Sequence, residues 1–168
     1  MKAENLSDIT SYLSFRIGEE IFACNVIQVL SILDLLEITK VPLAPSYLKG
    51  IINVRGIPLP VIDTHLKIGM SETEFTDNSY IIIMEYKLAG EYINLGILVD
   101  DVIAVIEVKN NEIQSPPAIG DKNGSEIIYG MIKSDEKFMM LINIEKLFSS
   151  HEVIEIKEKM DHENSVVS

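Results

Sequence analysis

The chain repeats itself. Gly50-Ile51-Ile52 is followed by Leu59-Pro60-Val61-Ile62-Asp63, and Gly130-Met131-Ile132 is followed by Met139-Met140-Leu141-Ile142-Asn143. Gly50 to Asp63 and Gly130 to Asn143 are both thirteen steps by residue number. Upstream, Gly18-Glu19-Glu20-Ile21 echoes Gly90-Glu91-Tyr92-Ile93. A repeat offset of about 70–80 residues is too long for a solenoid unit. It suits two copies of a small β-barrel, and a barrel of that size has so thin a core that the copies should pack on one another.

The strand pattern agrees. Tyr12 to Ile17 alternates apolar and polar residues, meets Gly18-Glu19, and continues as Glu20 to Asn25, which reads as a hairpin. Gly50 to Arg55 and Ile57 to Asp63 form a second hairpin around Gly56. Pro58 and Pro60 cannot donate to a ladder, which predicts an edge strand or a bulge there. Tyr80 to Tyr86 with Glu91 to Val99 make a third hairpin, and Ile127 to Lys133 with Lys137 to Ile142 a fourth. Val102 to Val108 is a further strand. Val26 to Leu36 fits either a short helix or a strand. Pro45 to Lys49 and Ile144 to Phe148 each fit one helical turn. Ser150 to Met160 reads as a helix with Ser150 as N-cap and a narrow stripe of Val153, Ile154 and Ile156. Asp161 to Ser168 reads as a polar, frayed tail. Loops are expected at Gly69 to Asn78 and from Ser115-Pro116-Pro117 through Gly124.

Composition narrows the function. The chain has 168 residues, with 14 Lys+Arg against 26 Asp+Glu and a formal net charge of −12. Nucleic acid and anionic membrane surfaces both call for a clustered positive patch, so neither is expected as a partner. No apolar run approaches the roughly 18 residues of a membrane span. The first residues, Met1 to Asp8, show no apolar signal core, and the single cysteine, Cys24, excludes an internal disulfide. A cytoplasmic protein is expected.

Catalytic chemistry is hard to assemble from these residues. Asp63 and His65 could form an acid–base pair for a small β-barrel hydrolase, but no Gly-x-Ser-x-Gly nucleophile elbow accompanies them. His151 and His162 fall in the C-terminal segment. Cys24 lies in the apolar run Phe22-Ala23-Cys24, where a buried thiol is expected. No His-x-x-x-His, Cys-x-x-Cys, EF-hand or phosphate-cradling Gly loop occurs, so no metal or cofactor is expected. What remains is a binding module. One contrast between the copies stands out: the first hairpin turn carries Arg55-Gly56 and the matching turn carries Asp135-Glu136. A cation on one tip of an acidic protein is a candidate contact for an acidic partner.

An ordered series of motifs resembles the CheW-like domain, the small adaptor of bacterial chemotaxis. It begins with Phe15-x-x-Gly18-Glu19-Glu20-x-Phe22-Ala23 and continues through Val26-x-x-Val29-x-x-Ile32 and Val41-Pro42-x-Ala44-Pro45-x-Tyr47-x-x-Gly50. Its most specific piece is Gly50-Ile51-Ile52-Asn53-Val54-Arg55-Gly56-x-x-x-Pro60-Val61-Ile62-Asp63. Gly96-Ile97-Leu98-Val99-Asp100-x-Val102 and Leu141-Ile142-Asn143-Ile144-Glu145-Lys146-Leu147 follow, so the likeness spans about 140 residues.

The resemblance implies a mainly β fold of two packed five-stranded SH3-like barrels. On this reading a domain over 10–149 contains subdomains near 10–70 and 78–149, leaving open an exchange of strands at the N-terminus, and 150–168 forms a C-terminal helix and tail. It implies a non-catalytic scaffold, without cofactor or metal, that couples the cytoplasmic tips of chemoreceptors to the regulatory domain of the histidine kinase CheA, recruited to the inner face of the membrane through receptor arrays. A CheW-like coupling protein of another chemosensory array is the alternative within the family. Carried over residue by residue, Arg55 is the anchor toward the receptor, and Gly50, Asn53 and Gly56 shape its hairpin. Val29, Ser31 and Ile32 belong to the contact strand. The family commonly has Glu where this chain has Ser31, so either Arg55 is freer or an acid such as Asp34 or Glu37 substitutes.

Overall fold

Short Ile/Val-rich segments separated by glycine and polar turns give β-structure almost throughout. A computed structural model of the chain describes residues 8–88, 90–116 and 127–167. The loop expected from Ser115 through Gly124 lies mostly outside the described residues. Ten strands are seen among them: β1 (Ile9–Ile17), β2 (Glu20–Asn25), β3 (Val29–Asp34), β4 (Leu48–Val54), β5 (Ile57–Asp63), β6 (Tyr80–Leu88), β7 (Glu91–Val99), β8 (Asp101–Lys109), β9 (Ile128–Ser134) and β10 (Lys137–Ile142). Three helices accompany them: α1 (Thr64–Lys67), α2 (Ile144–Leu147) and α3 (Ser150–Val167).

The strands form two five-stranded sheets, ordered β8-β1-β2-β10-β9 and β3-β6-β7-β5-β4. Each half of the sequence supplies a hairpin, a single strand and a second hairpin. The leading hairpin of each half joins the sheet built by the other half. The segments 10–70 and 78–149 therefore do not own one sheet each. β1–β2 sits with β8–β10, and β6–β7 sits with β3–β5. The sequence pattern is the same for either arrangement, because a hairpin has the same alternation whichever sheet it enters.

The pairing registers repeat in detail. β5 lies parallel to β7 through Val61↔Gly96, and β10 lies parallel to β2 through Leu141↔Ala23. A bulge opposite Val61 and Ile62 recurs opposite Leu141 and Ile142. Each sheet curls into an incompletely closed barrel. Thr39 and Ile51 exchange two 2.8 Å backbone bonds across the gap in one, and Gln114 and Met131 do the same in the other. Gly50 and Gly130 stand beside these bridges because there is no room for a side chain. A Cβ on Gly50 would sit 2.3 Å from the Thr39 carbonyl oxygen, and one on Gly130 2.6 Å from the Ile113 side chain.

Alternation then sorts the apolar residues into three layers. Ile52, Leu59, Val61, Ile81, Ile83 and Leu98 fill one barrel. Tyr12, Ala23, Val108, Ile132 and Leu141 fill the other. The largest cluster lies between the sheets. Leu13, Phe15 and Ile17 of β1 meet Ile82, Met84 and Tyr86 of β6 there, together with Val153, Ile156 and Met160 of α3. β1, β6 and β7 are buried on both faces, which is why their sequences run apolar with little interruption.

Four local expectations need correction. Val26 to Leu36 is neither one helix nor one strand: Val26–Gln28 makes a 3-10 turn, capped by the Asn25 side chain, and β3 follows. Pro45 to Lys49 is a turn closed by Leu48 N–H to Pro45 O rather than a helical turn, and β4 has begun by Leu48. α3 is capped by Ser149, not Ser150. The Ser149 hydroxyl accepts from Glu152 N–H while the Glu152 carboxylate accepts from Ser149 N–H, a complete capping box. The helix continues to Val167, since no Gly or Pro interrupts Asp161 to Val167.

Of the two alternatives for the proline-containing strand, the edge is not found, since β5 lies between β4 and β7, and the bulge is, in β4 opposite Val61 and Ile62. In a two-residue hairpin the flanking pair, here Val54↔Ile57, is hydrogen-bonded, so Ile57 and Leu59 direct their N–H groups at β4. Pro58 and Pro60 face β7 instead, and pairing with β7 starts only at Val61. The missing donors leave no ladder bond unmade.

Candidate partner-binding surface

The β4–β5 turn is strained in a specific way. Arg55 has φ +53° and Gly56 φ +83°, positive at both central positions as the type I′ turn requires. Glycine adopts this region freely. For arginine it costs roughly 1–2 kcal/mol. The Asn53 side-chain oxygen holds the turn by accepting the Gly56 N–H at 2.7 Å. Asn53, Arg55 and Gly56 are all exposed, and none of the described residues forms an ion pair with Arg55. Neither Asp34 nor Glu37 takes the place of the acid absent at Ser31. Gly50 lies at the other end of β4, buried against Thr39.

Val29, Ser31 and Ile32 lie on β3, at the opposite edge of the same sheet order. Val29 is partly buried against the layer between the sheets, opposite Met84. Ile32 pairs with Ile82 and is 41% exposed, and Leu30 at the adjoining bulge is 48% exposed. Ser31 is exposed. The sheet joins this strand to the Arg55 hairpin through β6 and β7, and the Thr39–Ile51 bridge links the segment after β3 to β4 across the gap, so the two groups lie on edge elements of one barrel.

Sequence reasoning missed the counterpart on β8. Leu13 pairs with Val105 as Ile82 pairs with Ile32, which makes Ile103 and Val105 the equivalents of Leu30 and Ile32. Both are exposed. The signal was the run Val102 to Ile106, apolar at every position yet placed in a sheet-flanking strand. Leu43 was missed as well: it has φ +59° and a side chain left 94% exposed.

The residues weighed for catalysis are occupied otherwise. Asp63 is fully buried and caps α1 through the Leu66 N–H. Its oxygens also accept the Thr73 hydroxyl at 2.5 Å and the Thr73 N–H at 3.0 Å, fixing the following loop. His65 turns to Asp100 instead, with Nε2 2.5 Å from Oδ2. The same carboxylate oxygen accepts the Gly18 N–H at 2.6 Å, so this group ties α1 and the β7–β8 link to the β1–β2 turn. Cys24 is buried, and burial pushes its thiol up to about 12, the opposite of nucleophile activation. Among the described residues no group of three or more His, Cys, Asp or Glu could hold a metal, and no helix is long and apolar enough to cross a membrane.

Two facing barrels with exposed apolar strands and a cationic hairpin tip define a class: an interaction module working through its surface. Comparison with known proteins agrees. The family model of the CheW-like domain matches residues 11–152. The chemotaxis protein CheW of Treponema pallidum is 30% identical over 141 residues, covering 84% of this chain and 83% of the relative. The CheW protein of Bacillus subtilis is 33% identical over 129 residues, covering 77% and 80%. The crystal structure of the scaffolding protein TtCheW from Thermoanaerobacter tengcongensis superposes with a TM-score of 0.71 at 31% identity, covering 83% of this chain and 92% of that one. The chain belongs to the CheW-like domain family and is a chemotaxis scaffold of that type.

Proposed function

We propose that this chain is a non-catalytic coupling protein that joins the cytoplasmic tips of chemoreceptors to the regulatory domain of the histidine kinase CheA. It acts in the cytoplasm and is recruited to the inner face of the membrane through receptor arrays. The observation that carries this reading is Arg55. An exposed cation at a hairpin tip, without an ion-pair partner among the described residues and on a protein of net charge −12, supports a contact with an acidic group outside the chain. The apolar strand containing Val29 and Ile32 adds the desolvated area that a charge alone lacks.

Arg55→Glu tests the assignment. A turn charge contributes little to stability, so the fold stays intact. Binding to receptor cytoplasmic fragments weakens by about 1–3 kcal/mol, the range for a partly desolvated interfacial charge. Unchanged affinity in a pull-down removes Arg55 from the receptor contact. The hydrolase reading gains no support, because Asp63 and His65 are each bonded to other groups.

A further inference from the structure

Hairpin exchange splits each half of the sequence between the two sheets, and a polar tie joins the parted pieces of each half. The short helix α1 follows β5, in the sheet β3-β6-β7-β5-β4, and α2 follows β10, in the sheet β8-β1-β2-β10-β9. His65 and Glu145 hold the same place in these helices, two residues after the caps Asp63 and Asn143. In the first half, His65 Nε2 lies 2.5 Å from Asp100 Oδ2, and that oxygen accepts the Gly18 N–H at 2.6 Å. The Asp100 N–H donates to the Arg16 carbonyl oxygen of β1 at 2.9 Å. α1 is thereby joined to the β1–β2 hairpin of the other sheet. In the second half, the Tyr86 hydroxyl of β6 donates to the Glu145 carbonyl oxygen at 2.8 Å. α2 is thereby joined to the β6–β7 hairpin of the other sheet.

Apart from these ties the sheets meet through an apolar layer that includes Leu13, Phe15, Ile82 and Met84. Apolar contact has no preferred direction and tolerates a small slide, whereas a hydrogen bond fixes a distance and an angle. Both ties are largely shielded from water, which strengthens them. Tyr86 is buried, and the His65 and Asp100 side chains are only 13% and 10% exposed. The ion pairs Lys67–Glu152 and Lys157–Glu91 run through α3, and the second lies on the exposed surface. The angle between the barrels decides where the Arg55 hairpin stands relative to the barrel of β8 to β10. We propose that His65 and Tyr86 are positioning residues that fix this angle and so let the chain hold two partners at once. The claim about the angle stands alone; its consequence for two partners rests on the coupling role proposed above.

The test uses the full chain in two arms. In the first, spin labels on Ile57→Cys and Glu136→Cys, exposed positions at the hairpin tips of the two sheets, report the distance between barrels by pulsed electron double resonance; the buried Cys24 stays unlabelled. His65→Ala combined with Tyr86→Phe widens the distance distribution about twofold, as two packed sheets freed to slide would. Tyr86→Phe keeps the ring in the layer, and His65→Gln, which places an amide donor near the position of Nε2, restores the narrow distribution in the Tyr86→Phe background. In the second arm, unlabelled proteins are titrated against receptor fragments and CheA, separately and together. Each separate Kd stays within about twofold, while the CheA brought down with receptor fragments falls about threefold, because lost geometry removes simultaneous engagement without weakening either contact. A distribution unchanged in a folded double variant overturns the proposal. So does a fall in bridging that only matches the fall in separate binding, or bridging that does not change. A wild-type chain that fails to bridge counts against the coupling role, and the distance measurement then decides the claim about the angle by itself.

Discussion

Single residues decide whether the barrels close. Gly50 and Gly130 occupy the same place in the two copies, yet their neighbours differ. The would-be Cβ of Gly50 meets a backbone carbonyl, while that of Gly130 meets a rotatable side chain. Gly50→Ala should therefore destabilise by about 2–3 kcal/mol, and Gly130→Ala by about 1 kcal/mol, since only the second clash can relax by a side-chain shift. Urea denaturation of the two variants measures this, and equal losses would show that the bridges are not what constrains these positions. The glycines themselves were legible as the start of a repeated pattern. Their reason was not, because Thr39 and Ile113, the residues that exclude a side chain, lie far enough upstream that no local pattern links them. Asp63 and Asn143 were likewise legible as matching ends. Their shared role is to cap the short helices that follow, through Leu66 N–H and Glu145 N–H. The separation of His65 from Asp63 was not legible, since the competing partner Asp100 comes from a different strand connection.

Among the elements, α3 depends most on charge. Lys67 of α1 sits 4.7 Å from the centre of the Tyr47 ring and 5.1 Å from that of Phe148, and bonds Glu152 at 2.6 Å. Burial works against the Glu152 charge. The hydrogen bonds from Lys67 and from the Ser149 N–H outweigh it and hold the carboxyl below its ordinary range. A carboxyl depressed in the folded state adds stability above its unfolded range and loses it as pH falls through the folded one. Lys67→Met should cost about 1–2 kcal/mol at neutral pH. The difference in Tm from wild type should shrink as the medium is acidified from pH 7 to below about pH 4. A difference independent of pH would place the effect in ring packing rather than in the ion pair. The existence of this helix was readable from Val153 and Ile156. Its cap is Ser149, one residue before Ser150, and the Ser149-x-x-Glu152 spacing identifies it better than closeness to the apolar stripe does. β3 was ambiguous for a related reason: its apolar residues serve a bulged strand, and a bulge breaks the alternation that marks a strand in sequence.

The whole molecule is held together by exchange. Each half of the sequence gives its leading hairpin to the sheet of the other half, so neither half contains a whole sheet: β3 to β7 follow one another in the chain, while β1 and β2 must reach β8 to β10. A fragment ending in the 70–78 loop should therefore remain unfolded alone by far-ultraviolet circular dichroism, and cooperative melting of that fragment would contradict the exchange. Duplication, β content and two five-stranded units were all visible in the ordered motifs. Which hairpin joins which sheet was not, since both choices satisfy the same apolar alternation. The proposed partner surface was legible only in part: the Arg55 turn stood out by its charge, whereas the exposed Ile103 and Val105 became apparent only once the register of β8 was set against that of β3. The central claim, that this chain bridges two larger proteins, is tested most directly by co-sedimentation with receptor fragments and CheA. Wild-type protein should bring CheA down with the receptor fragments, and the Arg55→Glu protein, equally folded, should bring down less. Sedimentation of CheA to the same extent with and without the chain would contradict it.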